Sequence, residues 1–266
     1  MLKNMLDLLH KIKSRIIRLI FKQKFKVIEH NLKIIKLGSR YGGRTFVDHP
    51  NLQDSTIISC GLGEDASFDI EFANRYNANI ILVDPTPRAV HHYNEIVLNL
   101  GSTKTLNYRN NGAESVSSYD LQGLRKNQLQ LVEKAIWKND FPIKFYLPKD
   151  KSHVSHSIVN FQNDYSSNTE FILVEAITLG QLMKLFDLST PPILKLDIEG
   201  AETEVIQNLL SHDIFPNQIL IEYDEMQKLN NKIRQKIYDC HLSLLKANYK
   251  LVNIDNINFT YIYDEK

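Results

Sequence analysis

From residue 56 onward the sequence predicts an α/β fold: a mostly parallel, doubly wound sheet with helices on both faces and an antiparallel hairpin at its end. Three observations carry this. Short apolar runs alternate with segments of helical periodicity. Those runs are continuous rather than alternating, as strands buried on both faces are. The closing stretch "YKLVNIDNINFTYIYD" reads as two alternating strands around Asp255-Asn256.

Taken in order, "TIISC" (56–60) is a buried strand followed by a helix over 66–76, and "NIILVD" (79–84) is a strand followed by a helix over 88–100. "QLVEKAIW" (130–137), "IKFYL" (143–147) and "FILVEAI" (171–177) read as further strands, the last leading into a helix at 179–186. "PILKLDI" (192–198) is the strongest core strand, with a helix over 202–210 behind it; "NQILIEY" (217–223) precedes a long helix from about 227 to 248. Residues 101–130 and 149–169 have weak periodicity and many turn formers. Loops of that length inside a domain are commonly functional, and these two are expected to shape a substrate pocket.

The 266 residues suffice for one large domain, and 43% hydrophobic with 24% charged residues is ordinary for a globular chain. A net charge of +1 argues for neither nucleic acid nor an acidic ligand, and no nucleic-acid partner is expected, but it hides an asymmetry: residues 1–28 hold +7, which leaves −6 for the rest. Within residues 1–21, Leu2, Leu6, Leu9, Ile12, Ile16 and Ile20 recur at helical spacing with lysines and arginines on the other sides. This basic amphipathic arm, residues 1–30, precedes the main domain, residues 31–266. It fits a helix on an anionic membrane surface, and equally one packed on its own domain or on a second copy. No apolar run approaches the ~20 residues of a membrane span. Charges also interrupt every candidate signal-peptide core. The two cysteines, Cys60 and Cys240, lack metal-ligand spacing, which argues against zinc and fits a reducing cytoplasm.

"ISCGLGEDASFD" (58–69) marks the site, because its glycine turn stands at the carboxyl end of a strand, where open parallel sheets bind ligands. Gly61-x-Gly63-x-x-Ala66 with Asp84 further on satisfies a dinucleotide fingerprint, which keeps a nicotinamide cofactor as one reading. Glu64 and Asp65, however, would repel a pyrophosphate. S-adenosylmethionine, with a sulfonium and an ammonium, suits these acids better, and Asp84 is placed for its ribose diol on a turn stiffened by Pro85 and Pro87. "LKLDIEGAE" (194–202) is the second constellation. Lys195 and Asp197 point to one side of their strand, and Asp197, Glu199 and Glu202 cluster where it opens into the next loop. The neighbouring strand ends in Glu222-Tyr223-Asp224-Glu225.

These stretches, with "VDPTPRAV", "VEKAIWKNDFPIKFY", "HVSHSIVN" and "ITLGQLM" in the same order, resemble the FkbM family of S-adenosylmethionine-dependent methyltransferases from about Leu37 to Asp224. The resemblance implies a Rossmann-like methyltransferase fold and methyl transfer, usually to an oxygen, on a small-molecule, glycan or natural-product acceptor. By position it assigns Gly61 and Gly63 to the cofactor turn and Asp84 to the ribose. Pro85 and Ala135 join them in the cofactor set, and Asp197, Glu199 and Gly200 match a "DxEG" motif at the active edge, beside Lys195. Ser59 and Asp65 depart from the usual acid and glycine, so Glu64 or Asp65 is expected to take over the contact to the methionine moiety. A hydroxyl acceptor needs a base. Asp197 ranks first, His156 of the "SHS" loop second, and Glu222 is the third candidate. A divalent ion on Asp197, Glu199 and Glu222 is a minor alternative, as is a non-catalytic binding protein on the same fold.

Overall fold

The computed structural model describes residues 21, 23–146, 170–227 and 230–264. The N-terminal arm up to residue 20 and the "SHS" loop with His156 lie outside them.

The centre is a seven-stranded sheet. β3 (Thr56–Cys60), β4 (Asn79–Val83), β5 (Leu129–Val132), β10 (Ile193–Leu196) and β11 (Gln218–Glu222) run parallel; β12 (Tyr249–Asp255) and β13 (Asn258–Tyr263) form the terminal antiparallel hairpin, in the order β12-β13-β11-β10-β3-β4-β5. β10 pairs with both β3 and β11, so the chain reverses its direction of winding between β3 and β10. Side chains alternate between two cores, as the pleat requires. Ile57, Ile80, Leu82, Ile193 and Leu220 face one core with α1 (Ser67–Tyr76) and α2 (Pro87–Leu98). Ile58, Ile81, Val83, Leu194, Leu196, Ile219 and Ile221 face the other, with α3 (Leu179–Leu185), α4 (Glu202–Ser211) and α5 (Asn231–Lys246). This two-sided burial is why these strands carry continuous apolar runs.

Local chemistry sets the helix ends. α1 stops at Asn77, whose φ of 49° is a left-handed cap that asparagine tolerates. Thr178 and Gln181 form a capping box on α3. The Asn230 side chain accepts from the N–H groups of Lys232 and Ile233, so α5 begins at Asn231 rather than near 227; a short 3-10 turn, Asp224–Gln227, stands before it.

The structure corrects the sequence reading between 130 and 177. The stretch 130–137 breaks after Val132, so that β5 joins the central sheet while β6 (Ala135–Ile136) leaves it to pair in parallel with β9 (Ala176–Ile177). The strand predicted at 143–147 is β7 (Ile143–Tyr146), and it pairs antiparallel with β8 (Phe171–Val174) outside the central sheet. Apolar content alone could not separate these from core strands. Phe171 and Leu173 of β8 are exposed, unlike the large apolar side chains of the central strands.

Two strands escaped the sequence reading. β1 (Ile34–Leu37) and β2 (Arg44–Val47) form a small antiparallel sheet. Gln218 fastens β2 to the central sheet: its amide donates to the Val47 carbonyl and accepts from the Val47 N–H, both at 2.9 Å. Thr260 of β13 donates to the Thr45 carbonyl at 2.7 Å. These contacts carry Arg44 to the carboxyl ends of β10 and β11.

Candidate active site

A cavity of about 420 Å³ opens at the carboxyl ends of β3, β4, β10 and β11, a volume typical of small-molecule sites. Its position beside the reversal between β3 and β10 is where this architecture leaves a crevice.

The glycine turn is built from backbone contacts. Gly61 sits at φ +85°, and a Cβ there would stand 1.7 Å from the Asp197 carbonyl oxygen. Only glycine fits. The Gly61 N–H donates to the Val83 carbonyl at 3.0 Å, and Lys195 Nζ donates to the Gly61 carbonyl at 2.6 Å. Gly63, at φ +55°, has nothing within 4 Å of where its Cβ would be, so its backbone is open to an approaching ligand.

Asp84 lies on the cavity wall, with a more structural task than the ribose reading gave it. One carboxylate oxygen accepts the N–H groups of Leu62 and Gly63, each at 3.0 Å; the other accepts the Thr86 N–H at 2.9 Å and its hydroxyl at 2.7 Å. A carboxylate has about four acceptor sites, and four donors already use them. Asp84 therefore ties the turn after β3 to the turn after β4. Pro85 lies next to it on the cavity wall.

Glu64 and Asp65 both line the cavity but are engaged within the chain. Glu64 pairs with Arg88. Asp65 is buried and accepts from the Ser39 hydroxyl at 2.6 Å, the Gly42 N–H at 3.2 Å and the Ser67 N–H at 3.0 Å. Its charge holds down the β1–β2 loop. Neither acid is left to stand in for Ser59, as the sequence reading expected. Ser59 itself is fully buried. The opposite wall is apolar, formed by Val83, Ala135, Ile136 and Phe145.

The acidic edge assembles largely as its spacing suggested. Asp197, Glu199, Glu222 and Asp224 line one end of the cavity with Lys195. Glu199 is held at φ +55°. Gly200, assigned to the same edge, lies behind the wall, and its N–H donates to Glu202 at 3.3 Å. Glu202 also accepts the Ile198 N–H at 2.9 Å, so this fully buried acid staples the 197–200 loop. Burial first and Glu225 second push its carboxyl well above the usual range.

The sequence reading missed Arg44. It is 2% exposed, and its guanidinium pairs with both Asp197 and Glu222. A signal was present: a lone arginine inside the apolar stretch "RTFV" must find carboxylates if it is buried, and the sequence holds a surplus of them at 197–225. The guanidinium also stands where the divalent-ion alternative needed a metal, and no group of three or more potential ligands among the described residues is arranged for one.

Even with Arg44 against it, Glu222 is pushed up from the ordinary 4.5 to about 7 by burial first and the Asp197 charge second. Asp224 is pushed well above its usual range by burial and then by Glu199, Asp197 and Glu222. Tyr41, on the β1–β2 loop at the rim, is raised to about 12, by partial burial first and then by Asp197, Glu199, Asp224 and Glu222. Its ring rests on Gly112, where a Cβ would come within 2.8 Å of it.

A glycine turn and an acidic strand edge facing one crevice define a small-molecule enzyme site on an α/β sheet. A family model, the methyltransferase FkbM domain, matches residues 24–251. The chain belongs to that family and is a methyltransferase. No curated protein and no solved structure matches it.

Proposed function

We propose that the chain is an S-adenosylmethionine-dependent O-methyltransferase whose acceptor is a hydroxyl of a glycan or a related small molecule. The observation that carries this is the pairing, in one cavity, of an open glycine turn with a carboxylate, Glu222, poised near pH 7. The sheet order and the crevice at its reversal support a Rossmann-like methyltransferase fold.

The residues present fit the cofactor. The open backbone at Gly63 and the turn organised by Asp84 and Pro85 would hold its polar parts. Ala135, Ile136 and Phe145 would cover its flat apolar face, and the acidic edge would balance its positive charge. When bound, S-adenosylmethionine supplies a methyl group already activated on a sulfonium.

The chain must then orient the hydroxyl and take its proton. Glu222 suits that task, because a base works best with a pKa near the working pH. Asp197 lies against Arg44, an arrangement that holds Glu222 in place. The Tyr41 hydroxyl stays protonated at neutral pH and can donate to an acceptor oxygen. His156 keeps the place of an alternative base that rests on the sequence alone. So do the arm of residues 1–30 as a membrane or self-association element and the cytoplasmic location; no helix among the described residues is long and apolar enough to cross a membrane.

The test is Glu222→Gln, assayed with methyl-labelled S-adenosylmethionine on a panel of glycosides and hydroxylated small molecules. Transfer should drop by about 10²-fold or more, while affinity for S-adenosylhomocysteine stays within about threefold. Unchanged transfer would remove Glu222 as the base. Failure of the unaltered protein to bind S-adenosylhomocysteine would sink the cofactor assignment.

A further inference from the structure

The loop between β1 and β2 borders the cavity through Tyr41 and Gly42, and none of its backbone donors is left over. All six N–H groups from Gly38 to Gly43 have acceptors: the Glu71 carboxylate at 2.7 Å, the Ser67 hydroxyl at 2.7 Å, the Asn110 side chain at 2.6 Å, the Ser39 hydroxyl at 3.1 Å from Tyr41 and 2.8 Å from Gly42, and the Ser39 carbonyl at 3.0 Å. The facing loop is held in the same way. Glu114 accepts the N–H groups of Arg109 at 2.7 Å and Asn110 at 2.6 Å, and its own N–H donates to the Glu64 carbonyl in the glycine turn at 2.8 Å.

What these two loops hold between them is the Tyr41 ring. It lies on the cavity wall yet is 61% exposed, three of its carbons stand against Gly112, and its hydroxyl has no hydrogen-bond partner among the described residues. A single exposed aromatic is ordinary on a surface; a loop with every backbone donor fixed is not, because ordering costs about 1–2 kcal/mol per residue. Arg44 does not explain it, since β2 is fastened separately through Gln218 and Thr260. A ligand does: a ring fixed in advance binds without being ordered at that moment. The ring is placed between the two halves of the site. Gly112 belongs to the loop tied to the glycine turn, and three residues after Tyr41, Arg44 holds Asp197 and Glu222. Tyrosine offers an apolar body with a polar tip, and carboxylates that accept hydrogen bonds line the same cavity. A six-membered sugar is the complement, with an apolar C–H face and hydroxyls around its edge.

We propose that Tyr41 is the acceptor-binding residue that sets specificity: its ring is the platform on which a sugar ring of the acceptor lies, with a sugar hydroxyl directed to the acidic edge. Its own hydroxyl donates to an oxygen at the edge of that sugar. The inference rests on the glycan reading above and goes beyond it by assigning recognition of the acceptor, as distinct from the cofactor, to one side chain.

The experiment compares Tyr41→Ala and Tyr41→Phe with the unaltered full chain, using the methyl glycosides of glucose, galactose, mannose and rhamnose as acceptors. For the best of them kcat and KM are separated, and S-adenosylhomocysteine affinity and thermal unfolding are measured on the same samples. Tyr41→Ala should raise the acceptor KM at least about tenfold while kcat and S-adenosylhomocysteine affinity stay within about threefold. Tyr41→Phe keeps the platform and loses one hydrogen bond, so its KM should rise by less. A ring that merely packs on Gly112 would affect unfolding and leave KM alone. A folded Tyr41→Ala with a normal KM therefore overturns the proposal, and so does a loss of S-adenosylhomocysteine affinity as large as the rise in KM. Should Tyr41→Ala fail to fold, Tyr41→Leu, which fills the space without a flat face, carries the same expectation and the same refutation. An unaltered protein that binds S-adenosylhomocysteine but methylates none of the four glycosides removes the sugar platform. Failure to bind S-adenosylhomocysteine refutes the cofactor reading instead and takes this inference down with it.

Discussion

At the scale of single residues, two glycines in one turn differ in kind. At Gly61 a side chain would collide with the Asp197 backbone, so Gly61→Ala must open the contact between the turn and the acidic edge. Gly63→Ala meets open space and pays only for its left-handed φ, about 1 kcal/mol. Chemical denaturation with a cofactor-binding assay should show Gly61→Ala losing both stability and binding, and Gly63→Ala folding nearly normally. Equal behaviour would mean that the close approach at Gly61 is not what selects glycine. Arg44 is the other decisive residue. Removing one partner of a buried charge cluster costs about 3–5 kcal/mol, so Arg44→Met should destabilise the fold by about that much. Adding Glu222→Gln should recover part of the loss, because one of the two stranded carboxylates is then neutral. Urea melts of the two variants test this, and the absence of any recovery would argue that Glu222 is not coupled to Arg44.

Among elements, β2 is the one that turns a sheet into a site. Among the described residues it pairs only with β1, and its place on the central sheet depends on the Gln218 amide and the Thr260 hydroxyl. Gln218→Ala leaves the Val47 N–H and carbonyl buried without partners, at about 1–3 kcal/mol, and loosens the strand that carries Arg44. Hydrogen exchange should then accelerate at the β1–β2 amides while β3 and β10 keep their protection. Uniform acceleration over the whole sheet would show that β2 does not open as a separate unit. The sequence was least informative for elements of this kind. β1 and β2 are four residues each, with Lys36 polar in the first and Arg44 and Thr45 in the second, too short for a periodic signal, and they owe their form to Gln218 and Thr260 far away in the chain. β7 and β8 misled in the opposite direction, since their apolar content matches core strands although they pack outside the central sheet.

For the whole molecule, the acidic edge makes stability depend on pH. Glu222 titrates near 7 in the folded chain against an ordinary 4.5. Between those values the unfolded chain has released its proton and the folded chain has kept it. The unfolded state therefore binds fewer protons, and stability falls as pH rises through that window. Glu222→Gln should flatten this part of the stability–pH curve relative to the unaltered protein, as read from thermal melts between about pH 4.5 and 7.5. An unchanged slope would show that Glu222 is not raised. What the sequence determined by itself was the core strands of the central sheet, the glycine turn and the carboxylates at the strand ends, because continuous burial, backbone geometry and charge leave their marks within a few neighbouring residues. Tertiary structure decided what those residues do. Asp84 became a tie between turns, Glu64 and Asp65 were engaged by Arg88 and Ser39, and Arg44 arrived from an unnoticed strand to bind Asp197 and Glu222. The physical reason is range: the charge balance of a buried site is set by contacts across more than 150 residues of chain, and no local pattern encodes which partner will come.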